Sequence, residues 1–223
     1  MIKMVVFDMA GTTVDEDNVV YKTLTDALDK HGYDISLETV LKIGAGQEKR
    51  KAIADLLENK QGKVKEEKIV EVFKSFKSML KSAYKFLDVR AQPGADSLFE
   101  ELRERDIRIV LNTGYDRNTA EGMIEKIGWR IEDDIDLLVT ASDVKGSRPA
   151  PDMILFAMDH FSMEDPTLVA KVGDSVIDIE EGKNAGCLFN IGVTTGAHTR
   201  EQLLKAHPFA VIDQLGDCSS ILL

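Results

Sequence analysis

Residues 1–15 read Met1-Ile2-Lys3-Met4-Val5-Val6-Phe7-Asp8-Met9-Ala10-Gly11-Thr12-Thr13-Val14-Asp15, and this stretch decides the architecture. The run Met4-Val5-Val6-Phe7 is short, β-branched and aromatic, which is the pattern of a buried strand. It stops abruptly at Asp8. Gly11 and the threonine pair after it read as a turn. A carboxylate is therefore held where a strand leaves its sheet, and in open α/β sheets the crevice beyond the strand ends is where ligands bind. An Asp can also sit there only to close a turn, so the chemistry of Asp8 depends on what the rest of the chain brings to it.

Downstream of Asp15 the rhythm becomes helical. Val20, Leu24, Ala27 and Leu28 recur at helical spacing between Asn18 and Tyr33, with Gly32 as the stop. Further helices are expected over 37–43, 47–57 and 64–87, the last with Ile69, Val72, Phe73, Phe76, Met79 and Leu80 on one face and its lysines largely elsewhere. Pro93-Gly94 then punctuates the chain. Beyond it, strands expected over 107–112, 137–140, 169–172, 188–193 and 210–212 alternate with helices over 95–105, 117–127, 151–161, 176–185 and 199–206. Such alternation means βαβ units and a parallel sheet covered by helices. The fold class is α/β. The core comprises residues 1–15 and 88–223, and the all-helical segment 16–87 is an insertion after the first strand. An insertion leaving beside Asp8 is placed to act as a lid.

The chain has 223 residues and a formal net charge of -11. An acidic chain has no general attraction for nucleic acid or anionic membrane, and neither is expected as a partner. An anionic substrate would need a local basic patch or a bound cation to reverse the sign at its site. The two cysteines, Cys187 and Cys218, are not in a metal-type spacing, which fits a reducing, cytoplasmic setting. No leader pattern precedes the first strand, and no apolar run approaches the ~18 residues of a membrane span.

Three strand ends carry polar groups. Asp8 ends the first strand, Thr113 the second in LNTGYDR, and Asp174 the fourth in KVGDSVIDIEEG, with Asp178 one helical turn further on. Arg148 lies in the loop GSRPAP. If Asp8, Asp174 and Asp178 converge, their repulsion calls for a cation, and oxygen ligands suit Mg²⁺. Thr113 and Arg148 then supply donors for phosphoryl oxygens, and backbone N–H groups around Gly11, Thr12 and Gly114 could add more. A carboxylate nucleophile, a metal and a basic clamp are what phosphoryl transfer through an aspartyl-phosphate requires. Ser175-x-x-Asp178 is also a helix capping box, a role compatible with the first.

Taken in order, Asp8-x-Ala10-Gly11-Thr12, Thr113-Gly114, Arg148 and Gly173-Asp174 with Asp178 make the chain resemble the haloacid dehalogenase-like (HAD) hydrolases over essentially its full length. The resemblance implies a Rossmann-like core with a helical cap and Asp8 as nucleophile. It implies Mg²⁺ on Asp8, the Ala10 carbonyl and Asp174, with Asp178 assisting through water, and Thr113 and Arg148 on the phosphoryl group. The finer resemblance is to the phosphonatase branch, carried by DMAGTTVD, TGYDR, GSRPAPDM and KVGDSVIDIEEGKNAG. Most phosphatases of the superfamily carry an acid/base Asp at the position of Ala10. The phosphonatase branch does without it, because a cap lysine forms a Schiff base with the aldehyde and the leaving group becomes an enamine. Here the matching cap position falls on Gln47, and Lys42, Lys49 and Lys51 lie near without matching the spacing. Gln47 and Lys49 are then expected to read the substrate from the cap.

The expected function is Mg²⁺-dependent hydrolysis of a small phosphorylated or phosphonylated metabolite. The alternatives are phosphonoacetaldehyde hydrolysis with a displaced lysine and a phosphate-ligand binding module. A dehalogenase would leave Asp174 and Asp178 unexplained, and a mutase needs the acid/base that Ala10 cannot supply.

Overall fold

The computed structural model describes residues 1–223. β1 (Met4–Asp8) lies at the centre of a six-stranded sheet, hydrogen-bonded on one side to β4 (Arg108–Thr113) and on the other to β6 (Val169–Gly173), both parallel to it. β5 (Leu137–Thr140) extends the sheet beyond β4, and β7 (Phe189–Val193) and β8 (Ala210–Ile212) extend it beyond β6, giving the order β5-β4-β1-β6-β7-β8. The chain winds outward from β1 in both directions, so the carboxyl ends of β1, β4 and β6 open on one crevice. Register puts Asp8 opposite Asn112.

Every residue of β1 is buried, and alternation along the strand feeds two separate cores. Val5 and Phe7 face the larger cluster, where Phe7 packs against Phe99 at 5.5 Å between ring centroids and Phe99 against Trp129 at 5.2 Å. Met4 and Val6 face a smaller cluster with Met153, Ile154 and Ala157. The helices supplying these layers are α5 (Ala95–Arg103), α6 (Arg117–Ile127), α7 (Asp152–His160) and α8 (Val176–Ala185). Short helices α9 (Arg200–Leu204) and α10 (Ser219–Leu222) finish the chain.

Between β1 and the rest lies a block of four helices: α1 (Val19–Lys30), α2 (Leu37–Gly44), α3 (Lys49–Gln61) and α4 (Glu66–Phe86). Their apolar stripes, Leu24 and Leu28, Leu56 and Leu57, Val72 and Phe76, pack on one another. The chain enters and leaves this block through a two-stranded antiparallel ribbon, β2 (Val14–Asp15) with β3 (Arg90–Ala91). That ribbon, and α10, have no counterpart in the sequence reading, because elements of two and four residues carry no measurable period. No helix is long and apolar enough to cross a membrane.

Candidate active site

The three carboxylates converge. Asp8, Asp174 and Asp178 each offer an oxygen within 4.8 Å of the others, and all three are buried. Sheet geometry explains two of them: Asp8 is the last residue of β1, and Asp174 follows the last residue of the adjacent β6. Asp174 fits there because two glycines leave it room. A Cβ built on Gly11 would lie 2.6 Å from Asp174 Oδ2, and one on Gly196 only 2.0 Å away. Gly11 also turns with φ +85°, a conformation that favours glycine. Asp174 Oδ2 accepts the Ala197 N–H at 2.6 Å.

Asp178 occupies the N-terminal turn of α8, where it closes the capping box with Ser175. Its Oδ2 accepts from the Ser175 amide at 3.2 Å and from the Ser175 hydroxyl, while Oδ1 accepts from Arg148 at 2.8 Å and pairs with Lys171 at 3.0 Å. A carboxylate has about four lone-pair sites, and all are taken by protein donors. Asp178 thereby anchors the two cations beneath the site, and it is also the third carboxylate of the cluster that could hold a metal ion.

Arg148 is 2 % exposed. Its Nη1 lies 2.7 Å from Asp8 Oδ1 and donates to Asp178, and its Nη2 donates to the Asn112 carbonyl at 2.8 Å. Glu181 stands 3.4 Å from its Nε. The guanidinium thus holds Asp8 while lining the same small cavity. Lys171 Nζ donates to Asn112 Oδ1 at 2.7 Å, and Asn112 Nδ2 donates to Glu181 at 2.9 Å. The sequence reading missed this buried lattice of Asn112, Lys171 and Glu181. The signal was available as a lone lysine in the strand Val-Ala-Lys-Val-Gly and a lone Asn in Ile-Val-Leu-Asn-Thr.

Electrostatics follow from the burial. Desolvation pushes Asp8 and Asp174 above the usual carboxylate range; Arg148 opposes this at Asp8, and the charges of Asp8 and Asp178 reinforce it at Asp174. Burial would also raise Asp178, but Lys171 and Arg148 hold it below its ordinary value. Burial works against the charge of Arg148 too, but Asp8, Asp178 and Glu181 keep it firmly protonated.

Asp8, Ala10, Thr113, Gly114 and Arg148 line one small cavity of about 10 Å³, closed from above by Tyr21, Gly46 and Lys49 of the helical block and from the side by Tyr115. Thr113 is buried and its hydroxyl accepts the Tyr115 amide at 3.2 Å. Two expected donors are otherwise engaged. The Gly11 amide donates to the Val14 carbonyl at 2.9 Å and the Thr12 amide to Met9 at 3.1 Å, because both close the turn after β1. The Thr12 hydroxyl is buried without a partner.

Gln47 does not enter the cavity. Its Nε2 donates to the Ile43 carbonyl at 2.8 Å and its Oε1 accepts from Lys51 at 3.1 Å, so its amide is consumed within the helical block. The lysine that does enter is Lys49, at the first position of α3 and three residues after Gly46. It is 7 % exposed, donates to the Gln47 carbonyl at 2.9 Å, and lies over the Tyr21 and Tyr115 rings at 5.0 and 5.9 Å. Burial lowers it to about 8, against the raising pull of Asp8 and Glu16. Glu16 is buried as well, and desolvation raises it to about 8 against the Val20 amide and Lys49. Neither Glu16 nor Lys49 has an ion-pair partner within 4 Å. Glu16 carried no motif to mark it.

A helix-inserted parallel α/β core with two carboxylates at adjacent strand ends and a third in the first turn of the following helix defines a class, and the comparisons agree. A family model described as haloacid dehalogenase-like hydrolase matches residues 5–191, and the chain belongs to that family. Within it the chain sits with the phosphonatase-like branch: it is 30 % identical over 227 residues to the phosphonoacetaldehyde hydrolase of Latilactobacillus sakei, covering 95 % of this chain and 81 % of that one. Among solved structures, a hydrolase from Pseudomonas syringae superposes with a TM-score of 0.86 at 19 % identity, covering 99 % of this chain and 97 % of that one. A phosphonoacetaldehyde hydrolase-like protein from Oleispira antarctica does so with 0.83 at 22 %, covering 99 % and 91 %.

Proposed function

We propose that this chain hydrolyses a small phosphonylated carbonyl compound, using Asp8 as nucleophile and Lys49 as an imine-forming amine. The observation that carries the reading is Lys49 reaching the cavity that holds Asp8 and Ala10, with burial lowering it to about 8. A neutral amine is the form that attacks a carbonyl. The helical block 16–87 serves as the cap over a core of 1–15 and 88–223.

The donor set suits a divalent cation: three buried carboxylates offer oxygens within 4.8 Å of one another, and burial, reinforced by the charges of Asp8 and Asp178, drives Asp174 toward protonation. Asp8, Asp174 and the Ala10 carbonyl would hold Mg²⁺, which when bound would offset the charge developing on the phosphoryl oxygens. Lys49 adds to the carbonyl carbon and loses water to give an iminium. Asp8, oriented by Arg148, attacks phosphorus. The electrons of the C–P bond pass into the iminium and leave an enamine on Lys49. Carbon then takes a proton, water releases the carbonyl product and restores the amine, and a second water cleaves the aspartyl-phosphate to inorganic phosphate. No acid is needed at position 10, because an enamine leaving group requires no proton on oxygen. Thr113 lines the phosphoryl end of the cavity.

A second reading, hydrolysis of a phosphate ester with Lys49 as an ammonium donor, draws support from its bond to the Gln47 carbonyl. Borohydride treatment in the presence of phosphonoacetaldehyde separates the two. The imine reading expects a stable adduct on Lys49, absent in Lys49→Arg, with Mg²⁺-dependent phosphate release lost in EDTA and in Asp8→Asn. Ester turnover with no lysine adduct would replace it with the second reading.

A further inference from the structure

Beside the small cavity lies a much larger space, about 820 Å³, between α4 of the helical block and α6 of the core, and the two share Lys49, Gly114 and Tyr115 as walls. It persists while the block is docked. A Cβ on Gly46 would lie 2.5 Å from Ser175 Oγ, so the loop before α3 sits tightly on the core. The Tyr84 and Tyr115 hydroxyls bond at 3.1 Å across the gap, and Lys126 of α6 donates to the carbonyls of Tyr84 and Leu87. A two-carbon aldehyde would leave this space empty. Phe76, Leu80 and Met123 give it an apolar floor. Lys77, Lys81 and Lys85, four residues apart on α4, line its rim along one helix face. With Lys126 they make four cations on the lining, apart from Lys49, against two acids, Glu48 and Asp116, in a chain whose net charge is -11.

Building on the function proposed above, we infer that the substrate carries, beyond its phosphonyl end, an apolar or aromatic body ending in an anionic group, and that this tail lies in the α4–α6 cleft. Apolar surface and local charge reversal together select such a tail, and neither a neutral sugar nor a cation matches both. Gly122 offers a clean block: it lies mid-helix on α6, lines the cleft, and has no atom within 4 Å of a built Cβ.

The test is titration calorimetry of the full chain with Mg²⁺ and three phosphonates: ethylphosphonate, 3-phenylpropylphosphonate and its para-carboxylated analogue. Each added feature is expected to tighten binding at least tenfold. Gly122→Trp should erase the gain from the ring, and Lys81→Glu with Lys85→Glu only the gain from the carboxylate. Ethylphosphonate should bind all forms alike. If ethylphosphonate binds and the longer probes bind no tighter, or their gain survives Gly122→Trp, the cleft is not the tail site and the function proposed above stands. If no phosphonate binds, both readings fall. If only the long probes bind, and Gly122→Trp abolishes it, the cleft inference holds and the phosphoryl pocket is misread.

Discussion

Lys49 and Glu16 are opposite charges, each buried, each within electrostatic reach of the other, and neither ion-paired. A buried charge without an ion-pair partner is costly, so burial shifts both groups toward their neutral forms. For Lys49 the kinetic consequence is direct. Imine trapping should rise with pH to a midpoint about 8 and then level off, whereas a solvated lysine would keep rising to its ordinary value of about 10.4. Measuring borohydride incorporation between pH 6 and 10 checks this, and a midpoint near the ordinary value would separate Lys49 from the chemistry. For Glu16 the consequence is in stability. Its folded pKa is raised, so the folded chain holds a proton that the unfolded chain has released, and stability falls as pH rises from the ordinary glutamate range toward 8. Glu16→Gln imitates the protonated form and should escape that loss. Denaturant titrations at pH 5 and pH 8 should show the mutant gaining on the parent by several kcal/mol, since each tenfold difference in proton affinity between the folded and unfolded chain is worth about 1.4 kcal/mol. Equal pH trends would place the Glu16 carboxyl in water.

At the scale of elements, the critical seam is the loop between α2 and α3 against the start of α8. Gly46 has φ +72° and is nearly in contact with Ser175. Gly46→Ala adds both backbone strain and a clash, so the loop cannot seat and Lys49 is carried away from Asp8. The expected outcome is a fall in kcat/KM of at least tenfold with a loss of about 1 kcal/mol or more in stability, read from steady-state kinetics and urea unfolding. Unchanged turnover would mean that the cavity is completed some other way. This seam also shows how far the sequence carries. The strand ends with Asp8, Thr113 and Asp174 were legible because burial, turn residues and carboxylates coincide in a few consecutive positions. The lattice of Asn112, Lys171 and Glu181 was not, since polar residues on separate elements meet only once register is set. Gln47 and Lys49 were both expected to face the substrate, and only Lys49 lines the cavity, because direction two residues apart on a loop leading into a helix depends on the loop's path and not on any period. The tails of α2, α3 and α4 were found within a few residues, as amphipathic stripes allow, while β2 and β3 were too short to leave a pattern.

For the molecule as a whole the buried cluster sets an electrostatic balance. Asp8, Asp174, Asp178 and Glu181 face Arg148 and Lys171. Four carboxylates against two cations leave a formal deficit that one divalent ion would cancel. The deficit is concentrated on Asp174, the carboxylate with no cation bonded to it; its neighbours Asp8 and Asp178 both touch Arg148. Without metal, burial and like charge raise Asp8 and Asp174, so the folded chain binds protons more tightly than the unfolded chain does. Stability should then decline as pH rises from the ordinary aspartate range toward neutrality. Mg²⁺ should remove that decline. At a hundredfold excess over its dissociation constant it adds about 2.7 kcal/mol, or roughly 5–10 °C in Tm for a chain of this size. Asp174→Asn reverses the order of stability. Lacking the repelling charge, it should melt above the parent in EDTA. Lacking a ligand, it should gain nothing from Mg²⁺ and melt below the parent when metal is present. Calorimetry of both proteins with and without Mg²⁺ reads the crossing directly, and parallel responses of the two would remove Asp174 from the metal site.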